Sequence, residues 1–188
     1  MITHLNTDEA IDNQLVNGNP CGIFVASEER KVQEYQPEGN KEGGERMEAV
    51  VQVKTTREVE NIVRVCAEFK KPVVPRGAGT GLEGGCVAYF GGVVLDVSLL
   101  KTMSMDEMQR TATVGAGVLK NELNTFLEPY GFIFGPDPSS NPSVGGMAST
   151  GGSGLSTLKY GTSKENIVSM KVVTPKGECI ETRRNVRK

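Results

Sequence analysis

The distribution of glycine constrains this chain more than any other feature. Sixteen of its 23 glycines fall between Gly77 and Gly154, in clusters rather than at a collagen-like period. A residue without Cβ admits positive φ and close approach of a ligand or another backbone. A site lined by main chain is therefore expected. It would sit in a packed protein: 37% of the 188 residues are hydrophobic and 23% charged, enough apolar side chain for a core. The length allows one domain or two small lobes.

Several function classes are disfavoured. Lys plus Arg is 21 and Asp plus Glu 23, a net charge of −2, so there is no electrostatic footprint for nucleic acid and none is expected as a partner. The apolar runs are short, as in Gly91 to Leu95, far from the roughly 20 residues of a transmembrane segment. The one histidine is His4, which leaves Ser-His-Asp chemistry, His-based zinc and His-anchored haem without support. Cys21, Cys66, Cys86 and Cys179 include no CxxC pair and read as separate reduced thiols. Asp8, Glu9 and Asp12 precede the first basic side chain, Arg30, the wrong sign for a mitochondrial presequence.

Residues 1–47 differ in composition from the rest, and Gly39–Arg46 (GNKEGGER) reads as a loop. Glu48–Val53 reads as a strand. Thr55 and Glu58 have capping-box spacing, and Val59, Ile62, Val63, Cys66 and Phe69 then recur on one helical face to about Lys70. Strands are expected at 72–75, 93–97 and 111–116. Leu119, Leu123, Phe126 and Leu127 mark a second helix that Pro129 stops. Val168, Met170 and Val172 alternate as a strand with one buried face. Thr174–Gly177 fits a type I turn returning through 178–182, and the RRNVRK tail reads as solvated.

Two constellations carry chemistry. The first, Pro75 to Gly85, has glycines at 77, 79, 81, 84 and 85 that permit positive φ, and the hydroxyl of Thr80 among them. Successive unobstructed N–H groups can form a nest for a phosphate. Position 82 is Leu, so the run is not GxGxxG, and no Gly-Lys-Ser/Thr follows, so it is not a P-loop. A tight mobile loop is the competing reading. The second, Gly135 to Gly154, is stiffened by Pro136, Pro138 and Pro142 and is nearly all small from Val144 onward, with hydroxyls at Ser149, Thr150 and Ser153. A low-complexity surface loop competes here. Two such loops, each fed by a strand, point to one extended ligand with a diphosphate.

The loop after Pro75, the stretch GPDP…GGMASTGGSG and the run KYGTSKENIVSMKVVTPKGE (Lys159–Glu178) resemble the FAD-binding domain of the vanillyl-alcohol-oxidase flavoproteins, the PCMH-type or type 4 FAD-binding domain. Within that family, GTGLEGG and YGT-x-KEN-I are most similar to D-lactate dehydrogenase (cytochrome) and the glycolate oxidase FAD subunit. The resemblance spans about 48–188. It implies an α/β (α+β) fold of two small α/β subdomains, about 48–100 and 101–188, with FAD between them. By resemblance, Arg76, Gly77, Ala78, Gly79, Thr80, Gly81, Leu82 and Gly84 wrap the pyrophosphate, and Asp137 and Pro138 sit in the second FAD loop. Val144, Gly145, Gly146, Met147, Ser149, Thr150, Gly152, Ser153 and Gly154 line flavin and diphosphate, and Tyr160 and Gly161 continue that wall.

The chain departs from the family pattern in residues 1–47, in Gln52 where Pro is often found, and in lacking a histidine placed for covalent attachment, so noncovalent FAD is expected. It stops where the family continues toward the segment completing the FAD site and the substrate domain, so it reads as a fragment. The resemblance implies a D-2-hydroxy acid substrate such as D-lactate, and a cytochrome c or quinone-type acceptor. Eukaryotic members imply mitochondria. Glu83, Asp96 and Asp137 read as structural, no catalytic residue is nominated, and no metal is expected. The alternatives are a non-catalytic FAD- or nucleotide-binding fragment and a structural subunit that has lost the ligand.

Overall fold

The computed structural model describes residues 45–182, together with the backbone of 22–25. Most of the divergent segment 1–47, the expected loop as far as residue 44 and the tail from residue 183 lie outside the described residues. The elements are β1 (Gly22–Val25), β2 (Glu45–Gln52), α1 (Thr56–Glu68), β3 (Val73–Arg76), β4 (Phe90–Asp96), β5 (Met103–Asp106), β6 (Thr111–Val114) and α2 (Lys120–Leu127). Three short helices follow, α3 (Val144–Thr150), α4 (Thr157–Tyr160) and α5 (Ser163–Asn166), and then the hairpin β7 (Lys171–Val173) and β8 (Cys179–Glu181). Two compact units interleave along the chain. The described part of one runs to residue 74 and takes in 87–95 and 171–180. The other holds 75–86, 96–170 and 181–182.

The first unit is built on a four-stranded sheet in the order β1-β2-β4-β3. β1 runs antiparallel to β2, with Gly22 opposite Gln52 and Val25 opposite Ala49. The Val93 N–H donates to the Pro72 carbonyl (2.9 Å) and the Val97 N–H to that of Arg76 (3.0 Å). Both partners advance by four residues, the register of parallel strands, so the sheet is mixed. β4 is buried from Gly91 to Asp96, which explains its apolar run, and in β2 Met47, Ala49, Val50 and Val51 are buried. Met47, Val50, Ala88 and Val94 form the core, with Val74 against it. The Thr55–Glu58 capping box starts α1 as expected: Thr55 Oγ1 accepts from the Glu58 N–H (3.2 Å) and Glu58 Oε2 from the Thr55 N–H (3.3 Å). Ile62 and Cys66 are buried, while Phe69 lies beyond the helix and is exposed.

The second unit contains the β5–β6 hairpin, Met103 opposite Val114 and Asp106 opposite Thr111. β5 is not anticipated above, although its Met-Ser-Met-Asp alternation carries the period-two signal. Its methionines join β6 and the buried Val118, Leu123 and Leu127 in one cluster. α2 ends at Leu127 and Pro129 lies in the 3-10 turn that follows, as the sequence requires. The expected buried face of Val168, Met170 and Val172 does not form. These residues are exposed, because β7 spans only three residues of a two-stranded ladder.

Among the described residues no buried side-chain polar atom lacks a partner, and no helix is long and apolar enough to cross a membrane. Burial, followed by the nearby Glu48 carboxylate, pushes the Cys66 thiol up from 9.0 to about 11, against the opposing charge of Lys71. The native state therefore holds the thiol proton over a range where the unfolded chain releases it. The resulting stabilisation is complete below pH 9 and lost as pH rises through 11. Urea unfolding of wild type and Cys66→Ala across this range should show the gap between them narrowing by roughly 2 kcal/mol at the alkaline end.

Candidate functional site

Both glycine-rich stretches fall in the second unit. The first begins where β3 ends. A Cβ built on Gly77 would clash with Ser143 Oγ, so the main chain there rests directly on the residue that caps α3 within the second stretch. Gly79 (φ 69°) and Gly84 (φ 74°) use the left-handed region. At Gly79 a Cβ would come 2.8 Å from Arg76 Nη2, so the guanidinium is folded back against this turn. Of the five glycines that permit positive φ in this stretch, Gly79 and Gly84 adopt it and 77, 81 and 85 do not. Gly77 is fixed by contact instead, and a Cβ on Gly81 or Gly85 would meet nothing within 4 Å. Ala78, Thr80 and Leu82 are exposed, Leu82 to 98%. Between 78 and 85 the loop thus offers main chain with little side-chain cover.

The second stretch is not loop throughout, since Val144–Thr150 is α3. Two glycines and the Ser149–Thr150 pair give this run low helix propensity, with Ala148 and Met147 its only strong helix formers. The readable signals were the caps. Ser143 Oγ accepts from the Gly146 N–H (3.3 Å), and Gly151 closes the helix in the left-handed conformation (φ 66°). The Ser149 and Thr150 hydroxyls donate to the Gly145 and Gly146 carbonyls, both at 2.9 Å. As donors they are spent inside the helix; their oxygens can still accept. Val144 packs on the core cluster and Met147 is buried within the unit. Gly145 sits against Ala116, while Gly146 and Gly151 are exposed.

Beyond α3 the chain is pinned by hydrogen bonds. The Gly152 carbonyl accepts from both the N–H (2.9 Å) and the Oγ (2.8 Å) of Ser163, which is fully buried. Ser153 is exposed. A Cβ on Gly154 would lie 1.9 Å from the Asp137 carbonyl oxygen, and that oxygen accepts from the Leu155 N–H at 3.2 Å. Thr157 Oγ1 bonds both the N–H and the carbonyl of Gly154. Tyr160 packs its Cβ on Gly135, Gly161 turns the chain at φ 79°, and Asn166 donates to the Tyr160 and Thr162 carbonyls, each at 2.8 Å. The Asp137 carboxylate takes an ion pair from Lys120 Nζ at 2.7 Å, and the same Nζ reaches the Pro138 carbonyl at 3.1 Å.

The sequence-predicted residues from Arg76 to Gly161 therefore belong to one compact unit, and contact at Gly77–Ser143 brings the two stretches together. The residues that hold them, Lys120, Ser143, Ser163 and Asn166, were not singled out. Lys120 looks like one more charge at a helix start, and serines in small-residue runs are unremarkable until their burial is known. Asp96 is buried and accepts from the Ser98 N–H at 2.8 Å, and Asp137 is paired, in keeping with structural roles for both carboxylates.

Residues 47–183 match the FAD_binding_4 family, described as an FAD binding domain. The chain is 40% identical over 144 residues to the mitochondrial D-lactate dehydrogenase [cytochrome] of Arabidopsis thaliana, covering 75% of this chain and 25% of that protein. It is 37% identical over 141 residues to the Glycolate oxidase subunit GlcD of Bacillus subtilis, covering 72% and 29%. The chain thus spans about a quarter of the length of these curated relatives. The crystal structure of 6-hydroxy-D-nicotine oxidase from Arthrobacter nicotinovorans superposes with a TM-score of 0.74 at 21% identity, over 88% of this chain and 37% of that one. That likeness bears out the fold the motifs implied. The chain belongs to the FAD_binding_4 family, the FAD-binding domain of flavin-dependent oxidoreductases.

Proposed function

We propose that this chain is the noncovalent FAD-binding portion of a D-2-hydroxy acid dehydrogenase of the D-lactate dehydrogenase type. The observation that supports it most directly is the joined pair of loops in the second unit, where Gly77 lies on Ser143 and the main chain at Gly81 and Gly85 has open space where a Cβ would stand. A flavin dinucleotide carries a diphosphate, and a diphosphate needs converging N–H donors without side chains between them. At Gly81 and Gly85 a Cβ would point into open space, so no side chain stands over the main chain where the diphosphate is proposed to lie. Arg76, held at Gly79, supplies positive charge beside the same loop. The segment from Val144 to Gly154, with Tyr160 and Gly161, is the wall along which the flavin is proposed to lie. Noncovalent attachment is inferred because the chain's one histidine, His4, lies far from these motifs in sequence.

Bound FAD would supply the two-electron redox chemistry. This chain's own part is placement: it holds the diphosphate on main-chain donors and keeps bulky side chains off the flavin wall. A D-2-hydroxy acid becoming a 2-oxo acid gives up its Cα hydrogen with two electrons and its hydroxyl proton, and a cytochrome or quinone-type acceptor takes the electrons onward. A second reading is a binding module that does not turn over. It is favoured by the engagement of Asp96 and Asp137 in structural bonds, which leaves neither as an evident base.

Two measurements test these readings. Titration of FAD into wild type, Gly81→Ala and Gly79→Val should show weaker binding for the first variant at unchanged thermal stability, because its new methyl enters the open space over the main chain where the diphosphate is proposed to lie. The second should lose at least about tenfold, since a β-branched residue at φ 69° costs on the order of 1–3 kcal/mol. Equal affinity for all three would take the first loop out of the site. Anaerobic mixing of the FAD-loaded 188-residue chain with D-lactate should leave the flavin band near roughly 450 nm unbleached. Rapid bleaching would show that these residues include a working base.

A further inference from the structure

Lys120 is the first residue of α2, and the segment 137–142 is wrapped around it. Its main-chain N–H donates to the Pro142 carbonyl at 2.9 Å. Its Nζ reaches the other end of the segment, at Asp137 Oδ1 (2.7 Å) and the Pro138 carbonyl (3.1 Å). The neighbouring Asn121 N–H donates to Asn141 Oδ1 at 3.0 Å. The Lys120 side chain is only 10% exposed, while the Asp137 carboxylate is about half exposed. A lysine is rarely buried to this degree unless paired, and here both its acceptors lie on one loop.

What Lys120 holds is next to the proposed cofactor wall. The Asp137 carbonyl accepts from Leu155, and its approach to Gly154 leaves no room for a Cβ. The position of Gly152–Thr157 therefore depends on where Asp137 sits. Charge matters as well: an unpaired, half-exposed carboxylate beside a dianionic diphosphate would repel it, and the Lys120 ammonium cancels that charge.

We propose that Lys120 is a positioning residue for the cofactor site, fixing Asp137–Pro138 under Gly154–Leu155 and neutralising the Asp137 carboxylate. The toward-cofactor part rests on the FAD reading above; the positioning part does not.

The test uses the full chain in four forms: wild type, Lys120→Arg, Lys120→Met and Lys120→Met/Asp137→Asn. Hydrogen exchange is followed on peptides covering 152–157, with peptides from α1 as internal control, and FAD affinity is measured by titration. Lys120→Met should speed exchange in 152–157 on the order of tenfold without a matching change in α1, and weaken FAD by a similar factor. Lys120→Arg should restore most of both. The double variant should recover part of the affinity, because the uncancelled charge is gone, but not the protection. Wild-type exchange and wild-type affinity in Lys120→Met would overturn the proposal. If that variant exchanges rapidly everywhere, the single variant Asp137→Asn decides instead: unchanged protection in 152–157 would also overturn it. Failure of the wild-type chain to bind FAD at all would sink the FAD reading and the charge argument, and the exchange result would still decide the positioning role.

Discussion

Backbone packed directly on backbone is the constraint from which the second unit follows. Gly154 lies on the Asp137 carbonyl and Gly145 on the Ala116 main chain, each at a distance no Cβ could occupy, while Gly77 rests on the Ser143 side chain. These approaches set where the two glycine-rich stretches run. They also separate the glycines into two kinds. Some are seams, where any side chain would force the main chains apart. Others, such as Gly81 and Gly85, face open space and leave main chain exposed for a ligand. The same residue type thus serves construction in one place and access in another.

Main chain brought this close must have its polar groups satisfied, and the unit does so with short side chains from nearby elements. Ser163, Thr157 and Ser143 each bond backbone groups of the second stretch, and Asn166 bonds the Tyr160 and Thr162 carbonyls just beyond it. An isolated run of glycine and serine would carry a large conformational entropy cost on ordering. Here that cost is offset by many local hydrogen bonds, by two helix caps and by the burial of Met147 and Val118. The result is an ordered surface poor in side chains, suited to a planar cofactor with a charged tail. Of the carboxylates near it, Asp96 is committed to a turn and Asp137 to Lys120. On the proposed reading, placement of the cofactor is the task of the described residues, and chemistry on the substrate is a separate one.

The sequence by itself determined the periodic and punctuated elements. The capping box at Thr55–Glu58, the apolar stripe through Ile62 and Cys66, the stop at Pro129 and the turn at Thr174–Gly177 are local signals, readable because the residues involved are within a few positions of one another. The ordered glycine motifs likewise carried the family, since their order along the chain is itself the signal. Tertiary structure alone decided which glycines are seams, that Val144–Thr150 is helical despite weak propensity, that Val168, Met170 and Val172 stay exposed, and that Lys120 is buried on Asp137. Each of these depends on what lies across from a residue in space. Propensity and spacing describe only its neighbours along the chain, so a buried lysine seventeen positions from its partner looks, in sequence, like any other charge on a helix.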